Sequence, residues 1–532
     1  MEPIIEFQDF SFKYSNLDFD IIHNANFSIE QGDTVLIFGP SGSGKSTLCY
    51  SMVGLIPWSI KGMFKGKVKI YGQNLTEITP RELAGTVGLV MQNPDNQFIN
   101  LTVFDELIFG AENLKVPEKK IRERLDRIVQ LLGLEPLLKR NPLQLSGGEK
   151  QRVVLGSVLM MKPKILILDE PLAFLDAQGR LEILHHILKL KRKFSNELTI
   201  LIAEHRINEI VPLANKFILI DRGKIKLYTD KNMIIHPYFQ NFPKFRGFAK
   251  YEKEISTVQT LPQFSYDLMI REYSFTPQTK PVSSDGNEYN ETLIVFDKVS
   301  FSYIQDLGKY RKQTKEIFTN ISFEIKAGEI IGIVGPNGSG KTTLLYLIAG
   351  ILSPDTGTIL FKGTDLKDTP YSNYAKNIGL IFQNPESQIL KNKIIKELEF
   401  GPRNFGLLNL LNEDLIDELI SLIFSSQELV LEDALEQKTL LELNPFNLSW
   451  GQKRRVNLAS LYTYAPLIYL LDEPFTGQDF LVRKEIMDSL IEILGNEKAA
   501  VISSHDEEIL NLCSKVFLIE YNQFYVYKKS AI

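Results

Sequence analysis

Gly39-Pro40-Ser41-Gly42-Ser43-Gly44-Lys45-Ser46-Thr47 fits the pattern G-x-x-x-x-G-K-[ST]. Immediately before it, Val35-Leu36-Ile37-Phe38 is a short apolar run of the kind a buried parallel strand needs. Immediately after it, Leu48 to Leu55 reads as the start of a helix. Strand, glycine loop and helix together are the setting in which this pattern binds phosphate. Gly39, Gly42 and Gly44 let the backbone curl so that successive N–H groups point at phosphate oxygens, and the helix N-terminus adds its positive dipole end. Lys45 would reach the β- and γ-phosphates and Ser46 a magnesium ion. The competing reading is a glycine-rich turn without a ligand.

The stretch occurs twice. Gly335-Pro336-Asn337-Gly338-Ser339-Gly340-Lys341-Thr342-Thr343 is a second copy, and Lys341 follows Lys45 by 296 residues. Gln383 follows Gln92 by 291, Ser449 follows Ser146 by 303, Asp472 follows Asp169 by 303, and His505 follows His205 by 300. Landmarks in one order at a near-constant offset mean a tandem duplication. Glutamine and serine stand 54 residues apart in the first copy and 66 in the second, which locates an insertion. The expected organisation is a first domain over 1–245, a connector over 246–291 and a second domain over 292–532, each domain long enough to bury its own core. In the connector, Phe275-Thr276-Pro277 and Ser283 to Asn287 are turn and loop signals, charges are mixed, and no helical pattern is sustained.

Each copy opens with strand-like alternation, Ile4 to Ser11 and Leu293 to Phe301, followed by Tyr14 or Tyr303. Apolar runs lead into Gln92 and Gln383, and helical stretches follow, from about Val103 to Arg140 and from Ile394 to Leu443. Next come Leu145-Ser146-Gly147-Gly148-Glu149 and Leu448-Ser449-Trp450-Gly451-Gln452. Two more apolar strands end in Asp169-Glu170 and Asp472-Glu473, and two further ones in Glu204-His205 and Ser504-His505. Strands that alternate with helices and end in polar residues predict an α/β fold with an open parallel sheet and ligands at its carboxyl edge.

With 60 Lys+Arg against 65 Asp+Glu, the net charge is −5, which argues against a nucleic-acid binder. Cys49 and Cys513 have neither metal nor disulfide spacing and read as small buried apolar side chains in a reducing cytosol. Met1 to Glu6 has no signal-peptide pattern, and the longest apolar runs, such as Leu344 to Leu352, are too short to cross a membrane. A membrane role would therefore be peripheral, through a partner that spans.

Chemically, Asp169 and Asp472 at strand ends can hold magnesium through water, and Glu170 and Glu473 can polarise an attacking water. The alternative for two adjacent acids is a solvated strand end. Gln92 and Gln383 can ligate magnesium, and His205 and His505 can hydrogen-bond a γ-phosphate. Ser146 and Gly148 open a helix expected from Glu149 to Met161, a second anion site that the same copy does not need.

The whole set resembles the ABC ATPase family: glycine loop, glutamine, Leu-Ser-Gly-Gly-Glu, Asp-Glu strand end and histidine, in order, over nearly all of the chain outside the connector. The resemblance implies two tandem domains, each a mainly parallel core sheet with an antiparallel β subdomain and a helical subdomain. It implies ATP and Mg2+, bound head to tail. One site would use Lys45, Ser46, Gln92, Asp169, Glu170 and His205 with Ser449 and Gly451. The other would use Lys341, Thr342, Gln383, Asp472, Glu473 and His505 with Ser146 and Gly148. Ser41, Thr47, Asn337 and Thr343 fall within the two phosphate loops. Tyr14 and Tyr303 match the aromatic that stacks on adenine, with a core strand aromatic as the alternative. Asp176 and Asp479 match the aspartate at the domain contact. Trp450 stands where the family usually has glycine, so the two sites are expected to be unequal, the one built on Ser146 turning over faster.

Asn93 to Phe98, Asn384 to Gln388, Asp105 to Gly110 and Lys396 to Gly401 look like the ATPases of energy-coupling factor importers of vitamins and of cobalt or nickel ions. That resemblance implies integral membrane partners, an energy-coupling component and a substrate-binding component, and a place on the cytoplasmic face of the cell membrane. Asp95 and Glu386 would meet arginines of the membrane component. Soluble tandem relatives that act on the ribosome carry a long charged helical connector, which residues 246–291 lack. Fused sugar-importer ATPases often lose catalytic residues in one half, whereas both halves here keep glutamate and histidine. DNA-repair relatives carry zinc cysteines.

Overall fold

The computed structural model describes residues 3–15, 19–40, 42–194, 196–229, 264–278, 291–306, 312–424, 437–476, 480–505 and 507–530. They form two compact units that divide near Phe264 and Ser265.

The described residues of the first unit form ten strands: β1 (Ile5–Tyr14), β2 (Ile22–Ile29), β3 (Thr34–Phe38), β4 (Gly62–Ile70), β5 (Gln73–Asn74), β6 (Val87–Val90), β7 (Ile165–Asp169), β8 (Thr199–Ala203), β9 (Lys216–Asp221) and β10 (Lys224–Tyr228). They run in the order β5-β4-β1-β2-β10-β9-β3-β8-β7-β6. The segment from β9 to β6 is parallel, and β5, β4, β1 and β2 pair antiparallel. The central parallel strands β3, β7 and β8 are buried along their whole length because they are covered on both faces. In β3, Val35 and Ile37 face one core, with Leu48 and Cys49 of the helix Lys45–Met52. Leu36 and Phe38 face the other, with Leu107, Val153 and Ile183 from helices Val103–Asn113, Gly147–Met160 and Ala177–Lys193. That period of two fixes which way the glycine loop leaves the strand. In the antiparallel layer β1 alternates as its sequence does, broken by a bulge at Asp9, whose φ is 50°, and by a second register shift against β2 between Phe10 and Phe12.

The second unit repeats this plan in two sheets. Its strands are β11 (Phe275–Pro277), β12 (Thr292–Asp306), β13 (Lys312–Lys326), β14 (Ile330–Val334), β15 (Thr356–Phe361), β16 (Thr364–Asp365), β17 (Ile378–Ile381), β18 (Ile468–Asp472), β19 (Ala499–Ser503), β20 (Lys515–Glu520) and β21 (Gln523–Lys529). One sheet runs β11-β21-β20-β14-β19-β18-β17 and the other β13-β12-β15-β16. The bulge recurs at Lys298, with φ 49°. Between β17 and β18 lie helices Ile394–Leu398, Phe400–Phe405, Glu413–Ile423 and Trp450–Tyr462, among others. Each unit thus has a mainly parallel core sheet, an antiparallel β layer and a helical part.

The stretch expected to be connector contributes structure where it is described. Ser265 caps a helix Tyr266–Glu272, and Phe275–Pro277 pairs with the C-terminal strand β21. Pro277 reads as a turn signal, but at the end of an edge strand its missing N–H costs no ladder bond. Ser283 to Asn287 lie outside the described residues. Cys49 and Cys513 are buried free thiols, as expected. Among the described residues no helix is long and apolar enough to cross a membrane.

His185 and His186 are both buried on helix Ala177–Lys193. Burial pushes the His186 imidazole down to about 3, and the charges of Arg152 and Lys189 add to it. Burial, with Lys189 and Arg192, lowers His185 as well. A folded-state value below the unfolded one means that the unfolded chain takes up the proton first, so stability falls as pH drops below about 6.5. Urea denaturation should show His186→Gln losing less stability than the wild type between pH 7.5 and 5.5, by about 1.4 kcal/mol.

Candidate functional site

Gly39 has φ 152° and approaches β9 so closely that a Cβ would lie 2.0 Å from the Ile220 carbonyl oxygen; Gly335, at φ 146°, stands 2.1 Å from that of Ile519 in β20. No side chain could replace either hydrogen. The loops end in Gly44 and Gly340, left-handed, and no side chain caps the helices Lys45–Met52 and Lys341–Ile348 that follow. A helix N-terminus that no side chain caps is suited to an anion. Lys45 Nζ folds back and donates to the carbonyls of Gly39 at 3.0 Å and Pro40 at 2.9 Å. Lys341 Nζ does the same to Gly335 at 2.9 Å and Pro336 at 3.0 Å. Both ammonium groups therefore lie at the mouth of their loops. Ser41 lies outside the described residues.

Tyr14 ends β1 and bonds Thr47 Oγ1 at 3.0 Å, and Tyr303 on β12 bonds Thr343 Oγ1 at 3.3 Å. Each ring also meets a strand phenylalanine edge-on, Phe12 or Phe301. Each tyrosine is thereby tied to the helix that follows its glycine loop.

The carboxylates stand where β7 and β18 end. Glu170 and Glu473 have φ 48° and 50°, a conformation that costs a non-glycine residue about 1 kcal/mol or more and is often kept for function. In the first unit Gln92 Nε2 donates to Glu170 Oε2 at 2.6 Å, and His205 Nε2 lies 3.1 Å from Glu170 Oε1. In the second, His505 Nε2 lies 3.2 Å from Glu473 Oε1 and 2.9 Å from Asn337 Oδ1 of the glycine loop. Gln383 is exposed, and among the described residues no bond joins its side chain to Glu473. Burial drives both glutamates toward the neutral form. At Glu473 it prevails over Lys341, carrying the carboxyl to about 7. At Glu170 the His205 ring and Lys45 outweigh it.

Asp169 and Asp472 differ more. Both oxygens of Asp169 are buried without a hydrogen-bond partner. Burial and the Glu170 charge push its carboxyl up to about 7, against the Ser46 hydroxyl and Lys45. Asp472 accepts from Thr342 Oγ1 at 2.7 Å and from the Ser503 hydroxyl. A buried carboxylate with unfilled lone pairs beside a serine and a glutamine is a donor set that fits a hydrated divalent cation.

Ser146 and Ser449 cap their helices. Ser146 Oγ accepts from Glu149 N at 3.4 Å while Glu149 Oε2 accepts from Ser146 N at 2.8 Å, and Ser449 with Gln452 repeats the box at 3.2 and 2.9 Å. Gly148 and Gly451 lie in the first turn of these helices. Asp176 caps helix Ala177–Lys193 through Gly179 N at 2.7 Å, and Asp479 lies outside the described residues. One expectation changes. Asp95 and Glu386 pair with lysines of their own units, Lys150 at 2.7 Å and Lys453 at 2.5 Å, and remain half-exposed. The lysine lies one turn into the helix whose N-terminus carries the serine, too far along the chain for the sequence to pair them.

Sequence reasoning missed three residues here. Glu204 is a third buried acid beside Glu170, its carboxyl raised by burial and by that charge. Ser503 holds Asp472, and Arg454 is fully buried behind Glu473. Each differs from its repeat counterpart (Ser504, Ala203 and Gln151), so matching the copies residue by residue marks all three.

The ABC transporter family profile matches residues 22–173 and 318–476. A relative in Methanosarcina mazei, named as an ABC transporter ATP-binding protein, is 33% identical over 540 residues, covering 97% of this chain and 87% of that one. Another so named, in Clostridium perfringens, is 32% identical over 532 residues, covering 96% and 87%. An archaeal ribosome recycling factor, aABCE1, solved with the stalk protein aP1, superposes with a TM-score of 0.58 at 21% identity over 96% of this chain and 87% of that one, a likeness of fold. The chain belongs to the ABC transporter family. It is an ATP-binding protein with two tandem α/β domains of that family, and an ATPase.

Gly39→Ala should cost about 3 kcal/mol or more in urea denaturation, because its Cβ meets a strand backbone. Gly42→Ala, with nothing within 4 Å of its Cβ and φ 75°, should cost about 1 kcal/mol.

Proposed function

We propose that this ATPase powers a membrane importer of the energy-coupling factor type, bringing in a vitamin, a vitamin precursor or a metal ion, from the cytoplasmic face of the cell membrane. The observation that carries the reading is an exposed apolar strip just after the first glutamine. Ile99 is 68% exposed, Leu101 78% and Phe104 42%. It follows Gln92 and Asp95, where the sequence resembles the energy-coupling factor ATPases, and in the second unit Leu390 is 60% exposed at the matching place. Three large apolar side chains in water are stabilised by cover. An integral membrane subunit, the energy-coupling component, supplies it, and a second, substrate-binding membrane component selects the cargo.

Each unit would contribute one glycine loop to an ATP site. Lys45 and Lys341 would leave the loop carbonyls for the β- and γ-phosphates, joined by the N–H groups of Gly42, Gly44, Gly338 and Gly340. Tyr14 and Tyr303 would stack on adenine. Ser46, Gln92 and Asp169, and in the second unit Thr342, Gln383 and Asp472, would hold Mg2+. When bound, the ion would draw charge from the phosphate oxygens. Glu170 and Glu473 would orient the attacking water and take its proton as the bond to the leaving oxygen breaks, with His205 and His505 holding those carboxylates in place. Ser146 and Gly148, and Ser449 and Gly451, would complete the site of the opposite unit, as the family resemblance implies. Fusion keeps the two units at equal numbers and high effective concentration.

A pull-down of the tagged chain from detergent-solubilised membranes should recover small hydrophobic membrane proteins, and Ile99→Asp with Leu101→Asp should abolish it. Recovery of ribosomal proteins instead would point to a translation factor. Within the ATPase, Glu473→Gln should remove more of the turnover than Glu170→Gln, since Trp450 belongs to the signature that would close the Lys45 site; equal losses would show equivalent sites.

A further inference from the structure

The two units fasten their glutamine loops to the Asp-Glu strand end by different means. In the first, the fastening is a side chain, Gln92 Nε2 to Glu170 Oε2 at 2.6 Å. In the second, it is a guanidinium. Arg454 has no solvent exposure. It donates to the main-chain carbonyls of Glu473 at 2.6 Å, of Asp472 at 3.4 Å and of Gln383. One turn along helix Trp450–Tyr462, buried Asn457 Nδ2 donates to the Pro385 carbonyl at 3.0 Å, and Lys453 pairs with Glu386. Three side chains of one helix thus hold three of the four residues from Gln383 to Glu386. In the first unit the matching positions are Gln151, Val154 and Lys150. Gln151 reaches only the Pro171 carbonyl, at 3.1 Å, valine can donate nothing, and Lys150 alone makes the corresponding contact, to Asp95.

A guanidinium buried this deeply needs acceptors, and three carbonyls from two separate segments supply them. Its planar fork spans both segments, which an amide or an ammonium cannot do as well. We propose that Arg454 is a positioning residue: it fixes the main chain of the Gln383 loop against the Asp472–Glu473 strand end and makes that loop and the helix Trp450–Tyr462 one rigid piece. The first unit lacks this piece. There the loop keeps the Lys150–Asp95 pair, but its tie to the Asp-Glu strand end runs through the glutamine side chain itself, so a ligand that draws Gln92 away also undoes that tie. In the second unit the Gln383 side chain can engage a ligand while its backbone stays put.

The catalytic part of the proposal rests on Gln383 and Glu473 belonging to an ATP site. The tether itself is testable without nucleotide. In the full chain, Arg454→Gln, which installs the residue of the first unit, should speed hydrogen exchange in a peptide spanning 380–388 at least tenfold. The peptide after Gln92 should change less than twofold. Arg454→Lys should fall between, and Asn457→Val should give a smaller acceleration. With Glu170→Gln present to silence the first unit's glutamate, Arg454→Gln should lower kcat at least fivefold and leave the KM for ATP within twofold, with partial rescue by Arg454→Lys. Exchange within twofold of wild type or equal acceleration in both units would overturn the tether, and an unchanged kcat where turnover depends on Glu473 would overturn its catalytic part. If Arg454→Gln does not fold, Arg454→Lys decides by the same exchange criterion. Turnover that survives Glu473→Gln undiminished would refute the reading of that ATP site and leave the tether standing.

Discussion

Two carboxylates side by side at the buried end of a strand are costly, and this chain builds that arrangement twice. An unpaired charge away from water costs several kcal/mol, so each acid must find a cation or a donor, or keep its proton. The surroundings of Asp169-Glu170 and Asp472-Glu473 follow from that need. A lysine ammonium stands in the adjacent glycine loop, a histidine ring reaches one glutamate oxygen, and the loop itself is pressed against a neighbouring strand at Gly39 or Gly335. What makes the sites expensive when empty is what prepares them for a ligand rich in phosphate and its counter-ion.

The two copies meet the same cost differently. The second surrounds its acids with neutral or cationic donors: Ser503 and Thr342 on Asp472, and Arg454 behind both. The first leaves both Asp169 oxygens outside hydrogen-bond geometry, with only the Ser46 hydroxyl and the Lys45 charge to favour the ionised form, and adds a third buried acid, Glu204. Duplication therefore preserved the residues that would touch the ligand and allowed the shell around them to drift apart. Trp450 in the second signature is one sign of that drift, and the exchange of Gln151 for Arg454 is a more deeply buried one.

The sequence made the fold readable because its strands are buried on both faces. Continuous runs such as Ile165 to Leu168 cannot be mistaken for exposed segments, and the repeat doubled the evidence for every landmark. In the structure the glycine loops follow β3 and β14, the two glutamates follow the last residues of β7 and β18, and the two histidines lie just beyond β8 and β19. Contacts that depend on side-chain reach were not legible. No periodicity says that Lys150 will turn to Asp95, that Gln92 will clasp Glu170 while Gln383 will not, or that an arginine six residues after the leucine of the signature will be fully buried. The strand Phe275–Pro277 was hidden for another reason. Three residues ending in proline carry too little alternation to be seen, and the pairing that makes them a strand lies with β21, about 250 residues away.

That small strand has a practical consequence. It covers β21 at the edge of the second unit's large sheet, with Phe275 opposite Lys529 and Pro277 opposite Tyr527, while Gln278 N donates to the Val526 carbonyl and Ser530 N to that of Ser274, each at 2.8 Å. Before it, Tyr527 also bonds Asp267 of the short helix, at 2.7 Å. A second unit severed from the first at residue 292, where the repeat begins, would lose both covers. It would present β21 as an open edge carrying Phe524 and Val526, the kind of edge on which chains stack into aggregates. The natural cutting point for handling the halves separately therefore lies ahead of Ser265, well inside what reads as linker.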